Sequence, residues 1–346
     1  MQQKQGVEKA RKRTHRPKLS TNLLLALAAT LLPIVMIELG MRLYHVYVKI
    51  RTPYRHVDNP SIRFMRKPHA NREINSLGFR DHEYVMQKPA GVFRIIVLGD
   101  SVTNGYGVAF GDMYTKRLES LLNTHDQQYE VISLGMDQYS TVQEVALFKE
   151  IGLSMSPDLV ILAYVLNDPT PDGSINDFFR QDQAPSLALA WLVRQCKAVL
   201  QVRDRINRRE GCRFFDYYSD MHCDADKWAA VSASLRELRE LSQQYGFQVL
   251  LVVFPLLEDG ADASFKNYKW GSIHEQVIEE ANRNGFSSLD LLPYFAQCQP
   301  AELKIKLTDK LHPNKLGNQI AATAIFQALV GLGVASPHGV TARPKP

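Results

Sequence analysis

The stretch FRIIVLGDSVTNGYGV, residues 93–108, sets the interpretation of the whole chain. It opens with the apolar run FRIIVLG, whose length and composition suit a buried strand of a parallel sheet. A turn rich in small residues follows, with Ser101 near its start. Asp or Ser at such a turn commonly caps the next helix. Two interpretations of Ser101 are therefore open, a catalytic nucleophile or a helix cap, and the rest of the chain decides between them.

The alternation of apolar runs and helical patterns continues along the chain. Further strands are predicted at YEVISLG (129–135), DLVILAYVL (158–166), FQVLLVVFP (247–255) and FSSLDLL (286–292). Helical periodicity separates the strands, and a last helix is predicted near the C-terminus. The helix after the second strand is predicted to open with a capping box formed by Thr141 and Glu144. Strands that alternate with helices imply an α/β fold with a parallel sheet of about five strands, covered on both faces.

Length and charge narrow the class of protein. The 346 residues suit one large α/β domain with attachments, and 45% hydrophobic with 22% charged residues is typical of a globular chain. The net charge of +5 comes from residues 1–20, which hold seven Lys or Arg and one Glu. The remainder holds 34 basic and 35 acidic residues, a net charge of −1. A nucleic-acid-binding domain is not indicated, and we expect no nucleic acid partner.

An apolar segment follows the basic tail. Residues 23–37 carry no charge, and the apolar character continues to Val48. Because about 20 apolar residues span a bilayer, this segment predicts a transmembrane helix. The run extends well past the ALA at 26–28, which favours an uncleaved anchor over a cleaved signal peptide. Glu38 and Arg42 are spaced to pair on one helix face. The basic residues before the segment favour a cytoplasmic N-terminus and an extracytoplasmic main domain, periplasmic in a Gram-negative cell.

The predicted organisation has five consecutive segments and one insertion. They are a basic cytoplasmic tail (1–20), a transmembrane anchor (21–48), a linker and N-terminal extension (49–90), the α/β domain (91–335) and a disordered tail (336–346), with an insertion or cap at 169–224. The insertion contains the apolar-then-basic run 186–209. This run could be a cap helix over the site, a helix on the membrane surface, or an ordinary packed helix.

Polar segments are predicted to meet at one edge of the sheet. In an open parallel sheet, ligands bind at the carboxyl ends of the strands. Four segments from distant parts of the sequence should lie there. They are GDS around Ser101, GMDQYST (135–141), the pair Asn167 and Asp168, and LTDKLHPN (307–314).

The residue types in these segments suit acyl transfer. A nucleophilic hydroxyl such as that of Ser101 needs a base, and a neutral His works near pH 7, which makes His312 the candidate. Asp309 lies three residues earlier, so a short loop can place its carboxylate beside the ring. Pro313 disfavours helical geometry at His312. Candidate donors to an oxyanion are the Ser101 amide, the Asn167 side chain and an amide of the second segment.

Other chemistries find little support in the sequence. We see no His, Asp and Glu cluster with metal-ligand spacing, and we expect no metal and no cofactor. No GxGxxG or GxxxxGK[ST] motif follows the first strand, which argues against a nucleotide-binding domain. Cys196, Cys212, Cys223 and Cys298 form no CxxC or CxxH pair. Cys212 and Cys223 could form a disulfide in an oxidising compartment, and four unpaired thiols are the alternative.

Three of these motifs, in this order, resemble those of the SGNH (GDSL-type) hydrolase superfamily. GDSVTNGYG is similar to its first block, LND to its third and DKLHP to its last. NSLGFRDHEY (75–84) resembles the segment before the catalytic domain in membrane-anchored bacterial members, so the resemblance covers roughly residues 70–332. It implies a flavodoxin-like three-layer sandwich, nucleophile Ser101, base His312 with Asp309, and an oxyanion role for Asn167.

The second block departs from the family pattern N-x-G-x-x-G. SLGMDQYST keeps Gly135, but Ser133 stands where Asn is usual and Gln138 stands where the oxyanion glycine aligns. The Gln138 amide can complete the hole only if its dihedral angles permit it. The predicted oxyanion hole is therefore formed by Ser101, Gln138 and Asn167.

The sequence thus predicts a membrane-anchored serine esterase that hydrolyses or transfers acyl groups on an extracytoplasmic substrate. An O-acetylated polysaccharide is the leading substrate class, and proteins of exopolysaccharide assembly are candidate partners. A lipase, lysophospholipase, thioesterase or acyltransferase with the same triad would act on an acylated lipid or another ester. The alternative from a different class is a catalytically degenerate SGNH domain, which would bind glycan or support an assembly complex without catalysis.

Overall fold

The computed structural model describes residues 19–124, 128–169, 186, 216–258 and 264–336. The chain divides into two compact units, Met1–Arg51 with Ala184–Ala198 and Thr52–Gln183 with Val199–Pro346. Helix α1 of the first unit spans Leu19–Arg51 and contains Pro33. Its length and composition would allow it to cross a membrane, a test that a signal sequence near the N-terminus also passes. The pairing expected on its surface is present, with Arg42 Nε 2.7 Å from Glu38 Oε1.

The second unit begins with the N-terminal extension, residues 52–90. Strands β1 (Tyr54–His56) and β2 (Phe64–Arg66) pair antiparallel, with Tyr54 opposite Arg66. Side chains from this extension are buried in the same hydrophobic core as the main sheet, among them Phe64 and Phe79. This stretch is therefore folded as part of the domain, because burying such large apolar side chains stabilises its attachment.

Five parallel strands form the central sheet. They are β3 (Phe93–Leu98), β4 (Tyr129–Ser133), β5 (Leu159–Tyr164), β6 (Gln248–Val253) and β7 (Ser287–Asp290). Their order is β4-β3-β5-β6-β7, so the chain runs outward from β3 in one direction and then in the other. The α/β class and the five predicted strands are confirmed. The carboxyl ends of β3, β4 and β5 flank the point where the order reverses, which is where such sheets bind ligands.

Helices cover both faces of this sheet. They are α2 (Tyr114–Leu122), α3 (Thr141–Glu150), α4 (Tyr217–Cys223), α5 (Ala225–Tyr245), α6 (Gly271–Arg283), α7 (Leu292–Phe295), α8 (Pro300–Leu303) and α9 (Lys315–Gly331). Successive side chains of a strand point to opposite faces. Ile96 therefore packs in the core with α3, α5 and α6, whereas Ile95 packs in the core with α2 and α9.

The capping box predicted at Thr141 and Glu144 is wrong. Helix α3 has Ser140 at its N-cap, without a side-chain cap, and Thr141 is already its first helical residue. The Thr141 hydroxyl instead donates to Asp168 Oδ2 at 3.1 Å. The Glu144 side chain is buried, and neither of its carboxyl oxygens has a hydrogen-bond partner among the described residues. The tertiary contact with Asp168 thus overrides the local cap.

Several predictions fall outside the described residues. They concern the basic tail up to residue 18, the tail from 337 and most of the insertion, of which residues 169, 186 and 216–224 are described. The run 186–209 lies outside except for its first residue. Cys196 and Cys212 are also outside, so the Cys212–Cys223 disulfide stays a prediction.

Candidate active site

The four polar segments meet at the carboxyl edge of the sheet. Ser101 follows β3, Asn167 follows β5, and these strands are neighbours. The segment after β4 lies against the turn after β3, since the Met136 amide donates to the Gly99 carbonyl at 3.0 Å. The loop before α9 brings His312 to Ser101. Chain topology therefore assembles groups that lie up to 211 residues apart in the sequence.

A hydrogen-bonded relay links the nucleophile candidate to a carboxylate. Ser101 Oγ lies 2.9 Å from His312 Nε2. On the other side of the ring, His312 Nδ1 lies 2.9 Å from Asp309 Oδ2 and 3.0 Å from Oδ1. The base is thus within hydrogen-bond distance of the hydroxyl oxygen, and a carboxylate lies against its second nitrogen. This geometry lets imidazole accept a proton from Ser101 while Asp309 stabilises the resulting cation.

The loop around Asp309 is organised by its own carboxylate. Asp309 Oδ1 accepts hydrogen bonds from the main-chain amides of Leu311 and His312, each at 2.9 Å. This turn places the ring of His312, three residues further along the chain, against the same Asp309 carboxylate. Partial burial opposes ionisation, but the hydrogen bonds from the two amides and the ring hold the pKa of Asp309 below its ordinary value. Asp309 is therefore ionised at neutral pH.

Contacts at both ends fix this loop to the domain. The Leu257 amide, beyond β6, donates to the Lys310 carbonyl at 2.7 Å, and Lys304 forms a β-bridge with Pro313. The Asn314 side chain accepts from two amides of α9 and caps that helix. The half-exposed ring of Tyr106 lies 4.6 Å from the His312 ring between centroids, on the solvent side of the relay.

Asp100 links Ser101 to Asn167. Asp100 is buried, and its Oδ2 accepts from Asn167 Nδ2 at 3.2 Å and lies 3.4 Å from Ser101 Oγ. Burial raises the pKa of Asp100, although hydrogen bonds from the Val102 amide and from Asn167 oppose that shift. An Asn amide carries two N–H donors, so the bond to Asp100 orients Asn167 and leaves the second donor available to a ligand. Asp100 belongs to the GDS motif, but its role was not predicted from the sequence.

The segment after β4 approaches the nucleophile turn closely. A Cβ at Gly135 would lie 2.5 Å from the Asn104 amide nitrogen, so only glycine fits there. Three residues later, Gln138 has φ of +63°, in the left-handed region that glycine enters most readily. Gln138 therefore adopts a backbone φ that is typical of glycine. Its role as an oxyanion donor stays a prediction.

One network beside Gln138 was missed by the sequence analysis. The Asp137 carboxylate receives hydrogen bonds from Arg66 and Tyr54 of the extension and from Asn104 of the nucleophile turn. Arg66 also donates to Asn104 Oδ1. The motif NSLGFRDHEY was the sequence signal that the extension contacts the site. Its Arg80 donates to carbonyl oxygens of the nucleophile turn, at 2.6 Å to Gly105 and 2.8 Å to Val108.

A group of buried carboxyls lies behind this side of the site. Asp100, Glu144 and Asp168 are all almost completely buried. Burial is the main cause that raises the pKa values of Glu144 and Asp168 well above their ordinary range, and neighbouring carboxyls add to it. In the part of the chain that the structure describes, no group of three or more His, Cys, Asp or Glu side chains could hold a metal ion.

The fold and the site together define a class, an ester-hydrolysing serine hydrolase built on a parallel α/β sheet. Comparison with known sequences gives the family. The model of the GDSL-like lipase/acylhydrolase family matches residues 97–320, more than half of the chain. The chain belongs to this family. A search of curated proteins finds no match.

Solved structures that are similar to this chain include three esterases or lipolytic proteins. The acetyl xylan esterase AlAXEase is 20% identical, with a TM-score of 0.43 over 68% of this chain and 100% of its own. Axe2, an acetylxylan esterase from Geobacillus stearothermophilus, is 17% identical, with a TM-score of 0.45 over 72% and 97%. A lipolytic protein of the G-D-S-L family from Veillonella parvula is 15% identical, with a TM-score of 0.40 over 69% and 98%. Likeness at this level carries no argument about substrate.

Proposed function

We propose that this protein is a membrane-anchored esterase that removes or transfers acyl groups on an extracytoplasmic substrate, with O-acetylated polysaccharide as the leading substrate class. Ser101 is the nucleophile, His312 the base and Asp309 the group that orients the base. The observation that carries the proposal is the 2.9 Å contact between Ser101 Oγ and His312 Nε2, with Asp309 on the other ring nitrogen.

The reaction follows from this geometry in two halves. Ser101 Oγ attacks the ester carbonyl while His312 Nε2 takes the hydroxyl proton, and Asp309 stabilises the imidazolium. His312 then gives that proton to the departing alcohol oxygen, and the C–O bond breaks to leave an acyl group on Ser101. In the second half, His312 accepts a proton from water or from an acceptor hydroxyl, whose oxygen attacks the acyl carbon. His312 returns this proton to Ser101 Oγ as the bond between Oγ and the acyl carbon breaks, and an acid or a new ester leaves.

The negative charge on the tetrahedral intermediate requires fixed donors. The main-chain amides of Ser101 and Gln138 and the side chain of Asn167 serve this role. Two observations support it, the hydrogen bond that orients Asn167 on Asp100 and the left-handed backbone at Gln138. The left-handed backbone at Gln138 also favours a catalytic domain over a degenerate one, because it gives this residue the φ of the glycine that the family pattern has there.

Activity on a defined ester tests the nucleophile. We would purify the full chain in detergent and measure hydrolysis of p-nitrophenyl acetate and release of acetate from an acetylated polysaccharide. Ser101→Ala should lower turnover at least about a thousandfold. Ser154→Ala, at an exposed serine after α3, is the matched control and should act like wild type. Turnover by Ser101→Ala equal to wild type would overturn the assignment.

The range of acyl chains and acceptors separates the substrate classes. An esterase for O-acetyl groups should prefer acetate to longer chains and release acetate from the polysaccharide. A preference for long acyl chains would instead favour a lipase or lysophospholipase. Transfer of acetate to an added sugar, in place of its release to water, would identify an acyltransferase.

The location of the domain can be tested independently of chemistry. The apolar helix α1 and the basic residues before it support an anchor with a cytoplasmic N-terminus. A reporter that is active only in the cytoplasm, fused after residue 346, should then give no signal, and the mature chain should keep its N-terminal segment. A strong signal would reverse the orientation, and loss of the segment would identify a signal peptide.

A further inference from the structure

The N-terminal extension holds the loop that contains Gln138. This extension lies before the residues matched by the family, which begin at 97, yet it contacts the site at several points. Arg66, which is 7% exposed, bridges two acceptors with its guanidinium, Asn104 Oδ1 and Asp137 Oδ2. A planar guanidinium suits such a bridge, because its donors are fixed relative to one another. Arg66 thereby connects the nucleophile turn to the residue immediately before Gln138.

A second set of contacts fixes the chain just after Gln138. The Tyr139 hydroxyl donates to the Phe64 carbonyl, and Gln143 Nε2 donates to the Ile62 carbonyl at 3.1 Å. Both carbonyls belong to the segment that leads into and forms β2. The same short piece of the extension therefore holds the loop on both sides of Gln138.

The backbone at Gln138 explains why such support is needed. A residue with a Cβ is disfavoured in the left-handed region, where Gln138 lies with φ of +63°. Strained conformations of this kind persist only where the surrounding structure over-determines them. With glycine at this position, the loop would adopt the same conformation at no steric cost. The contacts of Arg66 and Asp137 supply the constraint that glycine would make unnecessary.

We propose that Arg66 is a positioning residue that acts through Asp137 to hold Gln138 in its left-handed conformation, so that the N-terminal extension is an integral part of the oxyanion hole. The catalytic part of this inference rests on the proposed function. Tyr54 adds a second contact to the same carboxylate, and Arg80 secures the opposite turn by binding its carbonyl oxygens. A hydrolase domain that began at β3 would lack all three side chains.

Hydrogen exchange tests the positioning without any reaction. In the full chain in detergent, Arg66→Met should raise the exchange rate of the main-chain amides over residues 134–141 about tenfold. Exchange over β6 should stay as in wild type, which shows that the domain remains folded. Arg72→Met, at an exposed arginine of the same extension, is the matched control and should change neither segment. Unchanged exchange over 134–141 in Arg66→Met would overturn the proposal.

Kinetics in two backgrounds tests the link to Gln138. Arg66→Met should lower kcat about tenfold or more with KM within about twofold, because the variant loses stabilisation of the transition state and not of the bound substrate. In a Gln138→Gly background the same change should cost less than about threefold, since glycine needs no support. Equal losses in both backgrounds would reduce Arg66 to a general structural role and overturn the proposal.

Milder variants cover the case in which Arg66→Met does not fold. Tyr54→Phe removes one hydroxyl from Asp137 and should accelerate exchange over 134–141 by a smaller factor. Arg66→Lys keeps the charge but cannot span both acceptors, so it should lie between wild type and Arg66→Met. Wild-type exchange in both would contradict the proposal. If exchange responds as expected but the wild type hydrolyses no ester, the positioning stands and the proposed function fails.

Discussion

The two sides of Ser101 are built in different ways. On one side, the Asp309 carboxylate binds the amides and the ring of residues two and three positions along the chain. On the other side, the loop of Gln138 is held by Arg66, which lies 71 residues before its partner Asp137. The Asp309–His312 part of the relay is thus a local turn, which tertiary packing brings to Ser101, whereas the proposed oxyanion hole depends on contacts among several distant segments. A short motif therefore reveals the first side and says little about the second.

The pKa values of Asp309 and of the acids buried behind the other side shift in opposite directions. Amide and ring hydrogen bonds keep the pKa of Asp309 below its ordinary value despite partial burial, which favours the anion. Burial, with neighbouring carboxyls adding to it, raises the pKa values of Glu144 and Asp168 and favours their neutral forms, and at Asp168 it outweighs the hydrogen bond from Thr141. The relay is therefore built around an anion, whereas the acids buried behind the other side, Glu144 and Asp168, favour their neutral forms.

The largest expected effect breaks the relay. His312→Ala should lower kcat/KM at least about a thousandfold, because Ser101 then has no base. His56→Ala, at an exposed histidine of β1, is the control and should act like wild type.

The relay should also behave as one unit. The double variant Ser101→Ala with His312→Ala should be about as slow as either single variant, measured by ester hydrolysis. Losses that multiply in the double variant would show that the two residues act independently.

A smaller effect is expected on the oxyanion side. Asn167→Ala should lower kcat by about 10²–10³ with little change in KM, as removal of one oxyanion donor does in another enzyme. Asn282→Ala, at an exposed position of α6, is the matched control. If KM rises while kcat is unchanged, Asn167 binds the ground-state substrate and not the transition state.

The buried acids predict a pH-dependent change in stability. The raised pKa of Glu144 means that the unfolded chain loses this proton first, so its contribution destabilises the fold increasingly as pH rises above about 4.5. Glu144→Gln removes that linkage. It should raise the free energy of unfolding at pH 7 relative to wild type, because the neutral amide has no proton that the unfolded chain can lose.

Denaturant unfolding at several pH values measures this change. The gain should disappear as pH falls below the ordinary carboxyl value, where both states are protonated. Glu150→Gln, on the exposed end of the same helix, should show no such pH-dependent gain. A Glu144→Gln protein less stable than wild type at pH 7 would mean that the Glu144 carboxylate is ionised and stabilising in the fold.

The smallest effect is expected at Gln138 itself. Gln138→Gly should leave kcat within about twofold of wild type, because glycine readily adopts the φ observed there. Stability should change by less than about 1 kcal/mol, since relief of strain is offset by the greater freedom of glycine in the unfolded chain. Gln138→Ala keeps the Cβ but lacks the amide group, so a large loss in both variants would reveal a role for the Gln side chain.

The strands of the sheet were predictable because each is a short apolar run between turns. Residues such as Ile95 and Ile96 must both be buried when helices cover both faces, and that requirement is visible in composition alone. The cap of α3 was not predictable, because the Thr141 hydroxyl binds Asp168 in the turn after β5. The packing of the extension was likewise hidden, since Phe64 and Phe79 lie in a stretch rich in Pro, Arg and Asn.

The sequence by itself determined the α/β fold class, the apolar N-terminal helix and the candidate relay of Ser101, His312 and Asp309. These follow from local periodicity and from motifs in which neighbouring residues carry the chemistry. Only the tertiary structure decided that Gln138 takes a left-handed backbone and that Arg66 and Asp137 lie against it. A dihedral angle that opposes local preference is set by contacts between segments far apart in the chain, and a single sequence does not record those contacts.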